Sequence, residues 1–317
     1  MRKLIIDTDT GSDDAVALMM ALKSKDVSVE AVTTVAGNVP LELATKNALM
    51  TIEVTDGQKP PVYQGAAKPL MRDLVTAMNV HGEDGMGDQD LIHPTLEAMK
   101  AHAVDAILAL VDQNPNDIEI VTIGPVTNIA QAIMRNPEVM AKVKCIYSMG
   151  STGFGRGNTT PVSEFNVYVD AEAYDIMVRS GIPLTIIGFD VCLGPAAWTR
   201  EDMKALLDSG KPEAVLAVKC NRTLLEYNLY ATGDHFVDLP DAVAMAVALW
   251  DDVAVKTVAC HVHVCTNDDR TYGQTIINDG LRLAVMDGFG GDEPNAQVVK
   301  VFNDALYKTR LHNLLIQ

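Results

Sequence analysis

The sequence predicts an α/β fold with an open, mostly parallel central sheet and helices on both faces. Three observations favour this class. Short apolar runs of strand length alternate with helix-length amphipathic segments along most of the 317 residues. Several runs are almost continuously apolar, as in strands buried on both faces. No Pro/Ser-rich linker, low-complexity tract or internal repeat divides the sequence, so we expect a single domain over residues 1–317.

The first half of the sequence predicts four strands separated by helices. Acids at Asp13 and Asp14 open the first helix, where they favour the positive end of the helix dipole. The span from Gly65 to Ile92 has no period and holds several glycines and aspartates, which indicates a long functional loop. The predicted strands are Lys3–Thr8, Val27–Val35, Ile118–Ile123 and Cys145–Met149, and the predicted helices are Asp13–Ser24, Leu41–Thr55, Leu96–Asp112 and Val126–Arg135.

The second half continues the alternation and ends with shorter strands. A Gly/Thr-rich loop over Gly150–Val162 precedes it. The predicted helices are Ala171–Ser180, a series from Arg200 to about Tyr230, Asp241–Leu249 and a last helix near Asn295–Leu315, and the predicted strands are Leu184–Gly188, Val255–Val264, Gln274–Ile277 and Ala284–Met286. In such sheets ligands bind outside the carboxyl ends of the strands, so the residues that follow each strand are the candidates for function.

The charge balance restricts the classes of partner. Acidic residues outnumber basic ones by 42 to 25, which gives a formal net charge of −17 and disfavours nucleic acid and anionic membranes. No apolar run approaches the roughly 18 residues of a membrane span, and the first residues do not resemble a signal peptide. The five cysteines are scattered, without a CxxC pair, as reduced thiols are in cytoplasmic proteins. We therefore expect a cytoplasmic protein that binds a small, uncharged molecule.

Four carboxylates follow the first predicted strand within residues 7–14, DTDTGSDD. Helix capping accounts for the last two, but it does not account for Asp7 and Asp9 at the end of a buried strand. Closely packed carboxylates require raised pKa values or a cation, and an all-oxygen set suits Ca²⁺ or Mg²⁺. An EF-hand loop is excluded, because the fifth, sixth and twelfth positions counted from Asp7 hold Gly11, Ser12 and Leu18.

Polar groups also follow the other predicted strands. Asn38 follows the second strand, and the Gly-Pro pair after Ile123 frees the carbonyl of Ile123 for a hard cation. The loop after Met149 carries neutral and acidic side chains suited to sugar hydroxyls, namely Asn158, Glu164 and Asn166. Asp241 follows a proline at a helix start, where an acid is usually only a cap.

These residues, taken in order, resemble the signatures of the inosine/uridine-preferring nucleoside hydrolases. The resemblance rests on residues 7–15 (DTDTGSDDA), 36–38 (AGN), 81–82 (HG), 124–128 (GPVTN), 158–166 (NTTPVSEFN) and 188–191 (GFDV). It extends from about Lys3 to at least Met245. Members of this family hydrolyse the N-glycosidic bond of ribonucleosides to ribose and free base, use Ca²⁺, and usually form dimers or tetramers. The resemblance therefore implies a ribonucleoside substrate, a calcium cofactor and a homodimer or homotetramer.

The resemblance also implies a role for each matching residue. Asp9, Asp14, Asp241 and the carbonyl of Ile123 would hold Ca²⁺, and Asp9 would be the general base for a metal-bound water. The ribose hydroxyls would be bound by Asp13, Asn38, Asn158, Glu164 and Asn166, with Met149 beneath the sugar. Glycoside cleavage passes through an oxocarbenium-like transition state, which a site rich in anionic and amide oxygens stabilises.

One position departs from the family pattern. Many members have a histidine directly before the late aspartate, where it is proposed to protonate the leaving base, and this sequence has Pro240 there. Proline cannot donate a proton, so another residue must do so or the base departs with little help. The candidates are His81, His235, Tyr227 and Tyr230, and the preference for purine or pyrimidine bases stays open.

Two alternatives of other classes remain at this stage. A haloacid dehalogenase-type phosphatase has a DxDx[TV] motif after its first strand, and residues 7–10 fit it, but Gly11 occupies the fifth position and no matching lysine is evident. A non-catalytic ribose or nucleoside binder would need the residues that bind hydroxyls but no activated water. Release of phosphate, or the absence of ribose release, would distinguish these alternatives from a nucleoside hydrolase.

Overall fold

A computed structural model describes residues 1–280 and 293–317, and nine strands of this part form one sheet. The strands are β1 (Arg2–Thr8), β2 (Val27–Thr34), β3 (Val62–Gln64), β4 (Ile118–Thr122), β5 (Cys145–Met149), β6 (Leu184–Ile187), β7 (Ala254–Val264), β8 (Thr275–Asn278) and β9 (Ala296–Phe302). Their order across the sheet is β3-β2-β1-β4-β5-β6-β9-β7-β8. From β3 to β9 all neighbours are parallel, and β7 runs antiparallel to both β9 and β8.

The helices lie between the strands, as crossover connections of a parallel sheet require. They are α1 (Ser12–Lys23), α2 (Leu41–Val54), α3 (Met78–His81), α4 (Ala103–Gln113), α5 (Thr127–Arg135), α6 (Pro137–Met140), α7 (Phe165–Val169), α8 (Ala171–Val178), α9 (Arg200–Asp208), α10 (Pro212–Cys220), α11 (Arg222–Thr232), α12 (Pro240–Leu249) and α13 (Asp304–Ile316). Short 3-10 turns span Phe189–Cys192 and Gly194–Ala196. Among the described residues, no helix is long and apolar enough to span a membrane.

The central strand β1 is buried on both faces. Leu4 and Ile6 pack into the hydrophobic cluster on one side of the sheet, where α1 lies against α12, and Ile5 packs into the cluster on the other side. All three side chains are fully buried, so alternate residues of one strand supply both cores. The predicted α/β class, with helices on both faces of an open sheet, is confirmed.

The position of β1 between β2 and β4 fixes where a ligand can bind. The chain leaves β1 toward β2 on one side, and β4 lies on the other side, so the connections diverge at the carboxyl ends of β1 and β4. This divergence opens a crevice at that edge of the sheet. The segments that follow β1, β2, β4 and β5 all start from this edge of the sheet, as the sequence predicted.

Most predicted elements agree with the structure, but two predictions in the first half need correction and one strand was missed. The helix predicted over Leu96–Asp112 begins only at Ala103, where the His102 ring accepts a hydrogen bond from the Val104 N–H. The residues before it run beside β3, and the Met99 N–H donates to the carbonyl of Val62. Strand β3 itself was missed, because three residues give too little pattern. The loop predicted over residues 65–92 contains the four-residue helix α3.

The prediction of one helix over Asn295–Leu315 is wrong for its first half. Residues 296–302 form β9, which pairs with both β6 and β7, and α13 begins at Asp304 after Asn303 caps it by accepting from the Leu306 N–H. Local pattern did not reveal a strand whose two partners are distant in sequence. The short helices α6 and α7 were also not predicted. The strand predicted over Ala284–Met286 lies outside the described residues.

Candidate active site

The turn from β1 into α1 is built around the carboxylate of Asp14. Its Oδ2 accepts hydrogen bonds from the Gly11 N–H at 2.8 Å and from Asn38 Nδ2 at 3.0 Å, and its Oδ1 accepts one from the Thr8 hydroxyl at 2.6 Å. Asp14 is fully buried. Burial and the charge of Asp13 raise the pKa of Asp14 to about 6 despite these hydrogen bonds. The carboxylate therefore caps the start of α1, and its buried negative charge also requires a neighbouring cation or a proton.

Asp9 has one carboxylate oxygen without a partner. Its Oδ2 accepts from the Asn38 N–H at 2.6 Å, whereas Oδ1 is buried and accepts no hydrogen bond from any described residue. Two glycines leave room for this side chain: a Cβ on Gly37 would lie 2.1 Å from Oδ2, and one on Gly124 would lie 2.6 Å from Oδ1. Burial, followed by the charge of Asp14, raises the pKa of Asp9 well above its usual range. An unpaired buried carboxylate oxygen of this kind calls for a cation or a proton.

Three carboxylates converge beside Asp9. Oxygens of Asp13, Asp14 and Asp241 lie within 4.8 Å of one another, and all three residues are buried. Asp241 reaches the group because α12 starts at Pro240, and its N–H donates to Oδ2 of Asp13 at 3.4 Å. Burial and the neighbouring carboxylates raise the pKa of Asp241. Repulsion of this kind is relieved by a hard dication, which prefers oxygen ligands.

The main chain after β4 offers a further oxygen. Ile123 follows the last residue of the strand, and its N–H donates to the carbonyl of Asp7 at 2.9 Å. In the part of the chain that the structure describes, no hydrogen bond is made to the Ile123 carbonyl oxygen, and the residue lines the cavity. The donor set of Asp9, Asp14, Asp241 and this carbonyl consists of oxygens alone, which fits a calcium ion.

Asp7, the remaining carboxylate of this segment, has a different environment. Its Oδ1 accepts from the Thr33 hydroxyl at 2.5 Å and from Asn128 Nδ2 at 2.8 Å, which ties β1 to β2 and to the start of α5. Burial raises its pKa to about 7. Its Oδ2, like Oδ1 of Asp9, is buried without a hydrogen-bond partner among the described residues, but the two hydrogen bonds to Oδ1 show that Asp7 also holds the sheet edge together.

A cavity of about 180 Å³ opens above this carboxylate cluster. All six residues predicted to bind the ribose line it, and so do Ile123 and Asp241 of the predicted metal set. The remaining lining residues are mostly apolar or aromatic and lie toward α3, α7 and α11. The complete lining is Asp13, Asn38, Ala77, Val80, His81, Ile123, Met149, Asn158, Thr159, Glu164, Phe165, Asn166, Phe189, Leu224, Tyr227, Asn228, Asp238, Pro240 and Asp241.

The start of α7 orients two of the predicted ribose ligands. Glu164 is the N-cap, and its carboxylate accepts from the Asn166 N–H at 2.9 Å and the Val167 N–H at 3.2 Å. Burial raises the pKa of Glu164 to about 7, although these hydrogen bonds oppose the rise. Asn166 Nδ2 lies 3.3 Å from Sδ of Met149, so the amide and the thioether form one surface of the cavity.

Of the four candidates for the proton donor, the structure brings two to the cavity and leaves two away from it. His81 ends α3, is buried and lines the cavity, with Nδ1 at 2.8 Å from the Ser12 hydroxyl and 3.8 Å from Oδ1 of Asp13. Burial lowers the pKa of His81, and Asp13 and Asp238 oppose this effect. Tyr227 also lines the cavity. His235 is not among the lining residues, and Tyr230 is 92% exposed, so neither of these candidates lies at the cavity.

Two polar residues of the cavity were missed by the sequence analysis. Asn228 lies on α11 and Asp238 lies in the connection to α12, and a hydrogen bond of 2.7 Å joins Asn228 Nδ2 to Oδ1 of Asp238. Burial raises the pKa of Asp238, and this hydrogen bond opposes the rise. The only sequence signal was an acid three residues before Asp241, which gave no reason to pair it with a helical asparagine.

Comparison with known proteins decides which class of chemistry this site serves. The family model for inosine-uridine preferring nucleoside hydrolases matches residues 4–309. The chain belongs to this family. It is 35% identical over 298 residues to the pyrimidine-specific ribonucleoside hydrolase RihA of Escherichia coli, covering 93% of this chain and 92% of that protein.

Solved structures give the same result. The chain matches a plant nucleoside hydrolase with a TM-score of 0.92 at 29% identity, covering 99% of each chain. It matches a purine-preferring ribonucleoside hydrolase from Gardnerella vaginalis with a TM-score of 0.89 at 28% identity, also over 99% of each chain. The enzyme is thus a nucleoside hydrolase that cleaves ribonucleosides to ribose and base, and the phosphatase and non-catalytic alternatives are set aside.

Proposed function

We propose that this nucleoside hydrolase requires calcium, held by Asp9, Asp14, Asp241 and the carbonyl of Ile123. The observation that carries the proposal is the unpartnered, fully buried Oδ1 of Asp9 beside a group of convergent carboxylates. Asp13 belongs to that group as well. We assign it to the substrate because the family resemblance implies that role and because it lines the cavity together with the other predicted ribose ligands. When bound, calcium lowers the pKa of a coordinated water and so favours its deprotonation.

Asp9 acts as the general base in this proposal. Its Oδ2 is fixed by the Asn38 N–H, so Oδ1 is the oxygen free to take a proton from the attacking water. Hydroxyl groups of the ribose are bound by Asp13, Asn38, Asn158, Glu164 and Asn166. The carboxylates among them stabilise the positive charge that develops at the anomeric carbon. Met149 packs beneath the sugar ring.

His81 is the residue we assign to protonate the leaving base. It lines the cavity, and its Nδ1 is occupied by Ser12, so Nε2 is the ring nitrogen left for the substrate. The Ser12 hydroxyl can donate to Nδ1, which leaves the proton on Nε2 in the neutral ring. Transfer of a proton to the base requires the imidazolium form, in which the Ser12 hydroxyl accepts from Nδ1–H and Nε2–H faces the substrate. Burial lowers the pKa of His81 and so disfavours this form, whereas the charges of Asp13 and Asp238 favour it.

The direct test is ribose release from a panel of purine and pyrimidine nucleosides, with and without chelator. Release that is abolished by the chelator and restored by calcium is the expected result. Release that continues undiminished in the chelator would contradict the calcium proposal. The panel also reports whether purine or pyrimidine bases are preferred.

Two further expectations from the sequence stay predictions. They are a cytoplasmic location and assembly into a homodimer or homotetramer. Light scattering of the purified enzyme measures the second, and a monomer would contradict it.

A further inference from the structure

A short segment from the last part of the chain contacts the loop that carries ribose ligands. This segment, residues 272–275 (YGQT), ends on the first residue of β8, and we call it the clasp segment. The loop runs from Ser151, two residues after β5, to Ser163, directly before Glu164. The clasp segment contacts both ends of this loop, and the bonded pairs lie 109 and 124 positions apart in sequence.

At the start of the loop, the clasp segment holds a residue with a strained backbone. The hydroxyl of Thr275 lies 2.6 Å from the hydroxyl of Ser151, and both residues are buried. Ser151 has a φ of +77°, a left-handed conformation that a residue with a side chain rarely adopts unless its surroundings impose it. Its hydroxyl also accepts from the Gly153 N–H at 3.1 Å, and its carbonyl accepts from the Phe189 N–H at 3.0 Å. These contacts together hold the strained turn in place.

At the end of the loop, the clasp segment packs closely against Ser163. This serine is fully buried, and its hydroxyl donates to the carbonyl of Tyr272. Its main chain also forms an antiparallel bridge with Gln274. Gly273 lies between these two contacts with a φ of +75°, and a Cβ there would lie 3.1 Å from the hydroxyl oxygen of Ser163. The conformation and the close approach both favour glycine at this position.

Both ends of the loop are connected directly to Glu164. Ser163 precedes it in the chain, and the main-chain N–H of Ser151 donates toward its carboxylate and opposes the rise in its pKa that burial causes. Glu164 lines the cavity and is 2% exposed, so its carboxylate has little freedom of its own. Relaxation of the strained φ at Ser151 would reorient this N–H and remove one of the donors that hold the carboxylate.

From these contacts we propose that Thr275 and Ser151 are positioning residues for Glu164. The bond between their two hydroxyls keeps the turn after β5 in its strained conformation, and that turn fixes the carboxylate that binds the ribose. The inference rests on the ribose-binding role of Glu164 in the proposed function. Thr275 does not line the cavity, so it acts on the reaction only through Ser151 and Glu164.

The first test removes the hydroxyl of Thr275 and keeps the shape of its side chain. In Thr275→Val we expect kcat/KM to fall about tenfold for the nucleoside that the wild type cleaves fastest, whereas Thr275→Ser keeps the hydroxyl and should stay within about twofold. The matched control is Thr55→Val, because Thr55 is 1% exposed, does not line the cavity, and donates to the carbonyl of Thr51 at 2.6 Å. The control should lower Tm by a comparable amount and keep the wild-type kcat/KM. Wild-type kcat/KM in Thr275→Val would overturn the proposal.

A double-mutant cycle with Glu164→Ala separates positioning from a general loss of stability. Because the proposal has Thr275 act through Glu164, Thr275→Val should cost about tenfold in the wild-type background and less than about twofold in the Glu164→Ala background. The same factor in both backgrounds would show that Thr275 only stabilises the fold, and it would overturn the proposal.

Ser151→Gly provides a second route if Thr275→Val does not fold. Glycine adopts a φ of +77° without strain, but it has no hydroxyl to join Thr275. The variant should therefore show a similar loss of kcat/KM and the same dependence on Glu164. Wild-type kcat/KM in Ser151→Gly would contradict the role assigned to the pair of hydroxyls.

The outcomes also separate this inference from the proposed function. Wild-type kcat/KM in Glu164→Ala would refute the ribose-binding role of Glu164, and the inference would fall with it. A large loss in Glu164→Ala, together with full activity of Thr275→Val or equal factors in the cycle, would refute only the positioning by Thr275 and Ser151.

Discussion

The hydroxyl of Ser12 lies 2.8 Å from Nδ1 of His81, and both residues are buried, although 69 positions separate them in sequence. Ser12 is the first residue of α1 and His81 is the last residue of α3. The contact therefore links the carboxylate-bearing turn to the helix that carries the proposed proton donor.

Ser12→Ala removes this contact and leaves the His81 ring free to rotate. We expect kcat for inosine to fall about five- to tenfold, with a cost of about 1 kcal/mol in stability, since one buried hydrogen bond is lost. Ser12→Thr keeps the hydroxyl and should retain most of the activity. Steady-state kinetics of both variants measures this, and full activity in Ser12→Ala would contradict the positioning role.

His81→Ala should affect substrates according to the quality of their leaving groups. Inosine needs protonation of its base, whereas p-nitrophenolate departs unaided, so we expect a loss of about 100-fold or more on inosine and a much smaller loss on p-nitrophenyl riboside. His235→Ala is the matched control, because that residue does not line the cavity. Equal losses on both substrates would exclude His81 as the acid.

Gly124→Ala should displace the carboxylate of Asp9. The added Cβ would lie 2.6 Å from Oδ1 and 2.9 Å from the backbone nitrogen of Asp9, so the side chain must move. We expect a loss of ribose release of about 100-fold with a native circular dichroism spectrum. Gly210→Ala is the control for stability: its φ of +65° makes the substitution strained, but nothing lies within 4 Å, so activity should persist. Normal activity in Gly124→Ala would contradict the assigned position of Asp9.

Glu119 gives a prediction for stability that is independent of the active site. Its buried carboxylate pairs with Arg2 and with Lys144, and these hydrogen bonds outweigh the effect of burial and lower its pKa. A lowered pKa stabilises the fold above the ordinary value near 4.5, and this contribution is lost as pH falls through the folded-state pKa.

Glu119→Gln should therefore cost about 1–2 kcal/mol at pH 7, an amount limited by the partial exposure of both cations. The difference from wild type should shrink below pH 4. Urea denaturation at both pH values measures it. Glu226→Gln, which breaks an exposed pair with Arg222, should change little. A constant difference across pH would contradict the assignment to ionisation.

The part of the site that lies in contiguous segments was predictable from sequence. Asp9 and Asn38 follow β1 and β2 closely, and Glu164 lies at the end of the long loop after β5. A parallel sheet brings such residues to one edge. The unpaired, buried Oδ1 of Asp9 was not predictable. It depends on the close approach of Gly37 and Gly124 to the Asp9 carboxylate, which only the structure shows.

Residues outside those segments were less predictable. His81 and His235 could not be ranked as proton donors from their local sequence, because the packing of α3 against α11 decides which ring reaches the cavity. The pair of Asn228 and Asp238 was missed for the same reason. Strand β9 was taken for a helix because its partners β6 and β7 come from distant parts of the chain.

The most direct test of the account is a calcium titration of the chelator-stripped enzyme by isothermal calorimetry, with ribose release followed in parallel. We predict one calcium ion per chain, with activity rising in step with occupancy, and loss of this binding in Asp241→Asn. Full ribose release with no calcium bound, or calcium binding that survives Asp241→Asn unchanged, would contradict the claim that these carboxylates hold the ion on which hydrolysis depends.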